Sequence, residues 1–113
     1  MTTIFERVND ALDTLNPAVP FAMDRFIGEP LPDEYIVYQL ITGVPGQHAD
    51  NVETQRRYRV QVNILRRAGL AVLPDVDGAM TAAGFQRGPE RSLPKDDETS
   101  HYGLAKDYIF VDG

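Results

Sequence analysis

The chain has 113 residues, a length that suits one domain with a single modest core. Its eleven basic and seventeen acidic residues give a net charge of −6. An acidic chain is a poor general nucleic-acid binder, because phosphate neutralisation supplies most non-specific affinity. There is no cysteine, which excludes disulfides and cysteine-based zinc sites. The opening residues lack a basic region followed by an apolar run, and no stretch approaches the ~18 apolar residues of a membrane helix, so we expect neither a signal peptide nor a membrane span.

The N-terminal segment has the pattern of a capped amphipathic helix. Thr3 and Glu6 have capping-box spacing, and apolar residues recur at helical intervals as far as Leu15. The pair Asn16-Pro17 predicts the end of the helix, because the residue before a proline disfavours the helical region. The following stretch, Phe21 to Ile27, is flanked by proline and predicts a short strand at a sheet edge.

Two longer strands come next, separated by a predicted loop from Gly43 to Val52. The first, Tyr35 to Thr42, is apolar on both faces, which is typical of a central strand. The second, Glu53 to Arg67, alternates strictly between two sets of side chains. Its apolar set is Tyr58, Val60, Val62 and Ile64, and its polar set is Arg57, Arg59, Gln61 and Asn63. One face of this strand therefore packs on a core, and the other faces water or a partner.

The second half of the chain contains a short helix and a final strand. Pro74-Asp75 predicts the helix start, and Gly84 is well placed as the left-handed residue that ends it. Its predicted apolar stripe consists of Val72, Val76, Ala79, Met80 and Ala83. A short extended segment is predicted from Phe85 to Arg87, and the polar residues from Gly88 to Ser100 are expected to be mobile. The last predicted strand runs from His101 to Val111.

These elements predict an α+β fold. We expect an antiparallel, possibly mixed, sheet of four to five strands with two helices packed on one face. No repeat and no compositional boundary divides the chain, which predicts a single domain over residues 1–113.

The sequence carries no catalytic motif. Ser100 and His101 are neighbours, and adjacent strand residues point to opposite faces, so they do not form a nucleophile–base pair. His101 also follows Asp96, Asp97 and Glu98, which offer metal ligands but lack the ordered spacing of a calcium loop. A solvated loop is the simpler interpretation. We expect no catalytic residue, metal or cofactor; an enzyme would need a concave pocket around this cluster.

Aromatic and charged residues leave further alternatives open. The five tyrosines are interleaved with arginines, which would suit stacking on nucleic-acid bases, although such residues more often pack in a core or across strands. The net acidity favours the packing interpretation, so we expect no specific nucleic-acid binding.

The charges are unevenly distributed along the chain. Residues 1–34 hold seven acids against two arginines, whereas residues 56–67 hold five arginines and no acid. Such a chain can associate head to tail with its own copies; the alternative is that both regions are simply solvated surface. The candidate interface joins the polar face of the long strand to an acidic region of the next copy, with two options for that region. The candidate residues are Arg57, Arg59 and Gln61, against either Asp10 and Asp13 or Asp96, Asp97 and Glu98.

Three stretches carry a family resemblance: Tyr58 to Ile64, Met80 to Phe85, and Asp97 to Tyr108. In order and overall length they resemble the small tail-terminator proteins of long-tailed bacteriophages and prophages, also called tail-completion or tail-to-head joining proteins. The chain departs from that pattern in its second helix, which is short and begins with proline instead of running directly from the strand.

The resemblance implies a structural role and no catalysis. Such proteins form a ring, usually a hexamer, that caps the tail tube and presents a surface to the head. The implied partners are further copies of the chain, the tail tube protein and a head-completion protein, with no membrane contact. The implied location is the virion tail, and the bacterial host cytoplasm during assembly. A small monomeric adaptor or ligand-binding α+β domain without catalysis is the alternative.

Overall fold

Five strands and two helices make up the part of the chain that the computed structural model describes. That part comprises residues 3–15, 18–24, 31–45 and 56–112, without the side chains of 42–45, 56 and 112. In chain order the elements are α1 (Ile4–Asp13), β1 (Phe21–Met23), β2 (Glu34–Pro45), β3 (Arg56–Arg66), α2 (Val76–Ala82), β4 (Gln86–Leu93) and β5 (Tyr102–Asp112). Neither helix of this part of the chain has the length and apolar character needed to cross a membrane.

The strands form one sheet in the order β1-β2-β3-β5-β4. Strand β3 lies in the middle and pairs antiparallel with β2 and β5, so that Val60 is opposite both Leu40 and Tyr108. Strand β1 pairs parallel with β2, and β4 pairs antiparallel with β5. The predicted α+β class is confirmed, and the sheet is mixed because of the short β1 alone. The prediction that β1 lies at an edge is also confirmed.

Helix α1 begins as its capping-box sequence predicts. The Thr3 hydroxyl accepts a hydrogen bond from the backbone N–H of Glu6 at 3.1 Å, which satisfies one of the unpaired donors of the first turn. The helix ends at Asp13, before the predicted terminator Asn16-Pro17, which lies outside the described residues.

Helix α2 is held at both ends by local hydrogen bonds. The Asp75 carboxylate accepts from the N–H of Gly78 at 3.0 Å. At the other end the N–H of Phe85 donates to Met80 and that of Gly84 to Thr81, both at 3.0 Å, which is a Schellman motif. Gly84 has φ +96°, as the sequence predicted for the residue that ends this helix. The helix is shorter than its predicted apolar stripe, because Val72 lies outside it and is 73% exposed.

Both helices pack on the same face of the sheet and form the core with it. The core positions alternate along each strand, and the most buried ones are Ile36 and Tyr38 on β2, Val60, Val62 and Ile64 on β3, and Tyr108 on β5. From the helices, Val8 and Leu12 of α1 and Met80 of α2 are almost fully buried against them. Each buried tyrosine hydroxyl has an acceptor on a helix: Tyr38 donates to Asn9 at 2.6 Å and Tyr108 to Asp77 at 2.5 Å.

The segment after α2 is a longer strand than predicted. The extended segment predicted as far as Arg87 is the start of strand β4, which continues to residue 93 where a mobile stretch was expected, and β4 pairs with β5 around an irregularity between Arg87 and Glu90. The strand lies at the sheet edge and is exposed at most of its positions, so its sequence shows no apolar alternation. Asp96 then organises a turn, because its carboxylate accepts from the N–H groups of Glu98 and Thr99 at 2.9 and 3.3 Å.

Some of the predicted ends of the first three strands lie among residues that the structure does not describe. Strand β2 continues to Pro45, into the predicted loop, whose remaining residues 46–52 lie outside the described part. The predicted ends of the first and third strands, residues 25–27 and 53–55, lie outside it as well.

A charged cluster ties α2 to β5 at the border of the core. Asp77 accepts hydrogen bonds from Tyr108 and, at 3.1 Å, from the buried ammonium of Lys106, and Arg87 approaches it at 3.5 Å. Burial alone raises the pKa of Asp77, but the hydrogen bonds from Tyr108 and Lys106 outweigh it and hold the pKa below its usual value. Burial, followed by the bond to this carboxylate, raises the pKa of Tyr108, so its hydroxyl stays protonated as the donor.

We expect Asp77→Asn to lower the free energy of unfolding by ~1–3 kcal/mol at pH 7, because Lys106 and Tyr108 lose a charged acceptor. A carboxyl whose pKa is lower in the folded state stabilises above the unfolded pKa and ceases to do so as pH falls through the folded value. The difference between variant and wild type should therefore shrink below about pH 4. Urea titrations of both proteins at several pH values measure this difference in the free energy of unfolding. The exposed Asp97→Asn is the control, and a constant difference across pH would contradict the assignment.

We expect Val62→Asp to lower the free energy of unfolding by ~4 kcal/mol or more, because it places an unpaired charge at a fully buried position between the two layers. The matched control is Gln39→Asp on the opposite face of the sheet, with an expected cost within ~1 kcal/mol. Thermal melting of both variants tests the assignment of the two faces. An unchanged melting temperature for Val62→Asp would show that the faces are reversed.

Candidate subunit interface

The second face of the sheet carries no helix of the described chain. We call it the open face, and strand register defines its members as the residues that alternate with the core positions. They include Tyr35, Val37 and Gln39 on β2; Arg57, Arg59, Gln61, Asn63 and Leu65 on β3; Ala105, Asp107, Ile109 and Val111 on β5; and Gln86, Arg91 and Leu93 on β4.

The open face combines apolar surface with arginine. Val37 and Ala105 are buried by their neighbours even without a covering helix, whereas Val111 is 42% exposed. Ile41, at the irregularity in β2, is 47% exposed. Apolar residues interspersed with arginine are the composition that protein–protein interfaces favour.

One ion pair dominates the centre of this face. The carboxylate of Asp107 is only 8% exposed and accepts from two nitrogens of Arg59, with the Nε contact at 3.0 Å. The Arg59 side chain itself remains 47% exposed. Because a buried carboxylate without a partner is costly, Asp107 fixes Arg59 in place and leaves part of its guanidinium toward solvent.

A shallow cleft of about 220 Å³ lies beside this pair. Arg59 and Arg91 lie on its two sides, with Gln61 and Asp107 also lining it. The bulge of β4 brings its backbone close: a Cβ on Gly88 would lie 3.2 Å from the carbonyl oxygen of Asp107, so the bulge favours glycine there. The arginine of the edge strand is thereby directed to the open face.

The structure brings together one half of the predicted interface. Arg57, Arg59 and Gln61 share the open face, with Arg57 exposed and Gln61 half-buried. The acidic candidates lie elsewhere: Asp10 and Asp13 are exposed on α1, in the opposite layer. The residues Asp96, Asp97 and Glu98 are exposed on the turn that precedes β5.

That turn is anchored to the start of β2. The ring of His101 is almost fully buried, with Nε2 2.7 Å from the carbonyl oxygen of Pro32 and its edge against Tyr35. Arg67 donates to the carbonyl of Thr99 at 2.8 Å and to Asp33 at 2.6 Å. Within the described residues no three histidine or acidic side chains converge as metal ligands.

Tyr35 lies where this turn meets the open face. Burial, followed by the negative charge of Asp96, raises the pKa of its hydroxyl, and Arg67 only partly opposes this. The hydroxyl therefore remains protonated and uncharged in the physiological range.

Two residues of the open face, Asp107 and Arg91, were not among the predicted interface residues. The signal for Asp107 is present in the sequence, since its spacing of two from Ala105 and Ile109 places it on their face, opposite to Tyr108. Arg91 had no such signal, because the short strand predicted there ends at about Arg87, before Arg91.

We expect Arg59→Gln to lower the free energy of unfolding by ~1–3 kcal/mol, because it leaves the carboxylate of Asp107 buried without its charged partner. Arg57→Gln, two residues away on the same face, is the control and should cost at most ~0.5 kcal/mol. Chemical denaturation of both variants, of Asp107→Asn and of Arg59→Gln/Asp107→Asn completes the double-mutant cycle. Strictly additive losses would show that the pair contributes no coupling.

No protein-family model matches this sequence, and no curated protein matches it significantly.

Proposed function

We propose that this protein is a ring-forming tail terminator of a long-tailed bacteriophage or prophage, and that it self-associates through the open face. The single observation that carries the self-association is a five-stranded sheet whose second face combines exposed apolar residues with arginines. The sequence resemblance supplies the more specific role: a ring, usually a hexamer, that caps the tail tube and joins it to the head.

The composition of the open face supports association. By strand register it presents three arginines, Arg57, Arg59 and Arg91, against the single acid Asp107. The rest of the chain is acidic, since the whole protein carries −6. A basic surface on an acidic protein attracts other copies of that protein electrostatically.

The chemistry of the sheet favours a protein partner over catalysis. Arg59 and Asp107 are engaged with each other, and Glu90, which lines the same cleft, lies 3.4 Å from the ammonium of Lys106. Planar guanidinium groups held beside apolar residues are suited to binding carboxylates across an interface.

We expect the purified protein to shift from monomer to a discrete oligomer as its concentration rises, and electron micrographs of the oligomer to show rings. Association should weaken with salt, because exposed charge pairs are screened over ~10 Å at 0.1 M. Light scattering and sedimentation over a wide concentration range measure the mass. Added to the tail-tube protein of the same genome, the protein should stop tube growth. A protein that stays monomeric at every concentration and leaves tube growth unchanged contradicts the proposal.

A groove favours the second candidate, a monomeric ligand-binding domain. It has a volume of about 530 Å³ and lies between the end of α1, the start of α2 and the sheet, lined by apolar residues such as Leu15, Val19 and Leu73. Its charged residues are engaged within the chain: Glu34 lies 2.5 Å from Arg66, and Asp75 caps α2. Few polar groups remain there to orient a ligand, so the open face is the stronger site.

A further inference from the structure

We propose that the open face binds the outer surface of helix α1 from the next copy. The inference rests on the proposed self-association and names the second surface of that contact. It selects α1 over the acidic turn at Asp96–Glu98, and it fixes the symmetry of the assembly.

The outer surface of α1 carries an acidic stripe of three residues. Val8, Ala11 and Leu12 are buried against the sheet, and a helix rotates by about 100° per residue. Residues 6, 10 and 13 therefore lie together on the side opposite to the core. These residues are Glu6, Asp10 and Asp13, and all three are exposed.

Two residues of this stripe, Asp10 and Asp13, cost the monomer stability. Asp10 and Asp13 lie in the last turn of α1, where the negative end of the helix dipole disfavours acidic side chains, and that turn holds no basic residue. No ion pair within the described residues compensates Glu6, Asp10 or Asp13. Local features that oppose folding without internal compensation are expected at functional surfaces.

The two surfaces match in charge and spacing. Arg57 and Arg59 are two residues apart on β3, which separates them by ~6.6 Å. Glu6 and Asp10 are four residues apart on α1, which separates them by ~6 Å along the axis. Arg57 and Arg91 have no ion-pair partner among the described residues, and Arg59 keeps exposed guanidinium surface beyond its bond to Asp107.

The acidic turn at Asp96–Glu98 is less suited than α1 to bind the open face. Asp96 is used within its own turn, where it accepts from Glu98 and Thr99. The remaining Asp97 and Glu98 are consecutive residues in a turn and do not form a stripe that matches two arginines along a strand.

The contact must be head to tail. In each copy the open face and the outer surface of α1 belong to opposite layers, so both surfaces of every copy can be occupied at the same time. Such a heterologous contact repeats from copy to copy and closes into a ring when the rotation allows it, whereas a two-fold dimer would bury the same surface on both partners.

Four variants test this arrangement. The face variant is Arg57→Glu/Arg91→Glu, which leaves the Arg59–Asp107 pair intact. The helix variant is Asp10→Lys/Asp13→Lys, and its reversals suit the C-terminal end of a helix, so the monomer should fold. The turn variant, Asp97→Lys/Glu98→Lys, has the same net charge as the helix variant. The swap variant combines the face and helix changes and returns to the wild-type charge of −6.

We expect the face and helix variants each to raise the dissociation constant on the order of 100-fold, because like charges then oppose each other across the contact. The turn variant should associate as the wild type does, and the swap variant should recover association. Circular dichroism and thermal melting confirm that each monomer is folded.

A mixture of the face variant and the helix variant is the most specific test of the contact. The face variant keeps a normal α1 and the helix variant a normal open face, and their two reversed surfaces complement each other as in the swap variant. An equimolar mixture should therefore form oligomers in which the two variants alternate, although neither variant associates alone. If the helix variant still forms rings, or the mixture stays monomeric, the assignment of α1 is overturned and self-association by another surface stands. If the wild type itself never associates and does not stop tube growth, the proposed function fails with it.

Discussion

The period-two alternation of β3 is the constraint on which the rest of the structure depends. Val60, Val62 and Ile64 point into the helical layer and are almost fully buried, while Arg57, Arg59 and Gln61 point to the other side. Because β3 is the middle strand, its neighbours must follow the same division of faces. A shift of one residue in pairing would bury the arginines and expose the core, so the alternation fixes both the register and the existence of an open face.

On each side of the sheet one carboxylate, half-buried Asp77 or buried Asp107, is satisfied in its own way. On the helical side Asp77 accepts hydrogen bonds from Tyr108 and Lys106, and these bonds attach the seven-residue α2 to β5. On the open side Asp107 holds Arg59. The two clusters lie on adjacent residues of β5, 106 to 108, which alternate between the faces. This strand therefore carries the polar anchors of the fold, whereas β3 carries the apolar ones.

The sequence predicts those parts of the fold that local patterns determine. The capping box at Thr3, the glycine stop at Gly84 and the alternation around Val62 each have a local physical cause, and each is confirmed. The sequence predicts only the start of strand β4, to about Arg87, since an edge strand with no fully buried face has no reason to alternate. In the candidate interface, the shared face of Arg57 and Arg59 follows from the alternation of β3 alone. Arg91 lies beyond the predicted end of its strand, after the bulge, and Asp107 gains its role only when β3 and β5 pair.

The proposed assembly also explains why an acidic protein carries an arginine-rich face. In a head-to-tail ring, the arginines of each open face are neutralised by the acids of the next α1. The basic surface of each copy is therefore buried in the contact. The surface left exposed on the ring is then dominated by the remaining acids of a chain with net charge −6. Such a surface does not bind phosphate groups, and DNA passing through the ring toward the tail would not be retained by it. The same charge distribution therefore supports both halves of the proposal: attraction between copies, and free passage for the nucleic acid.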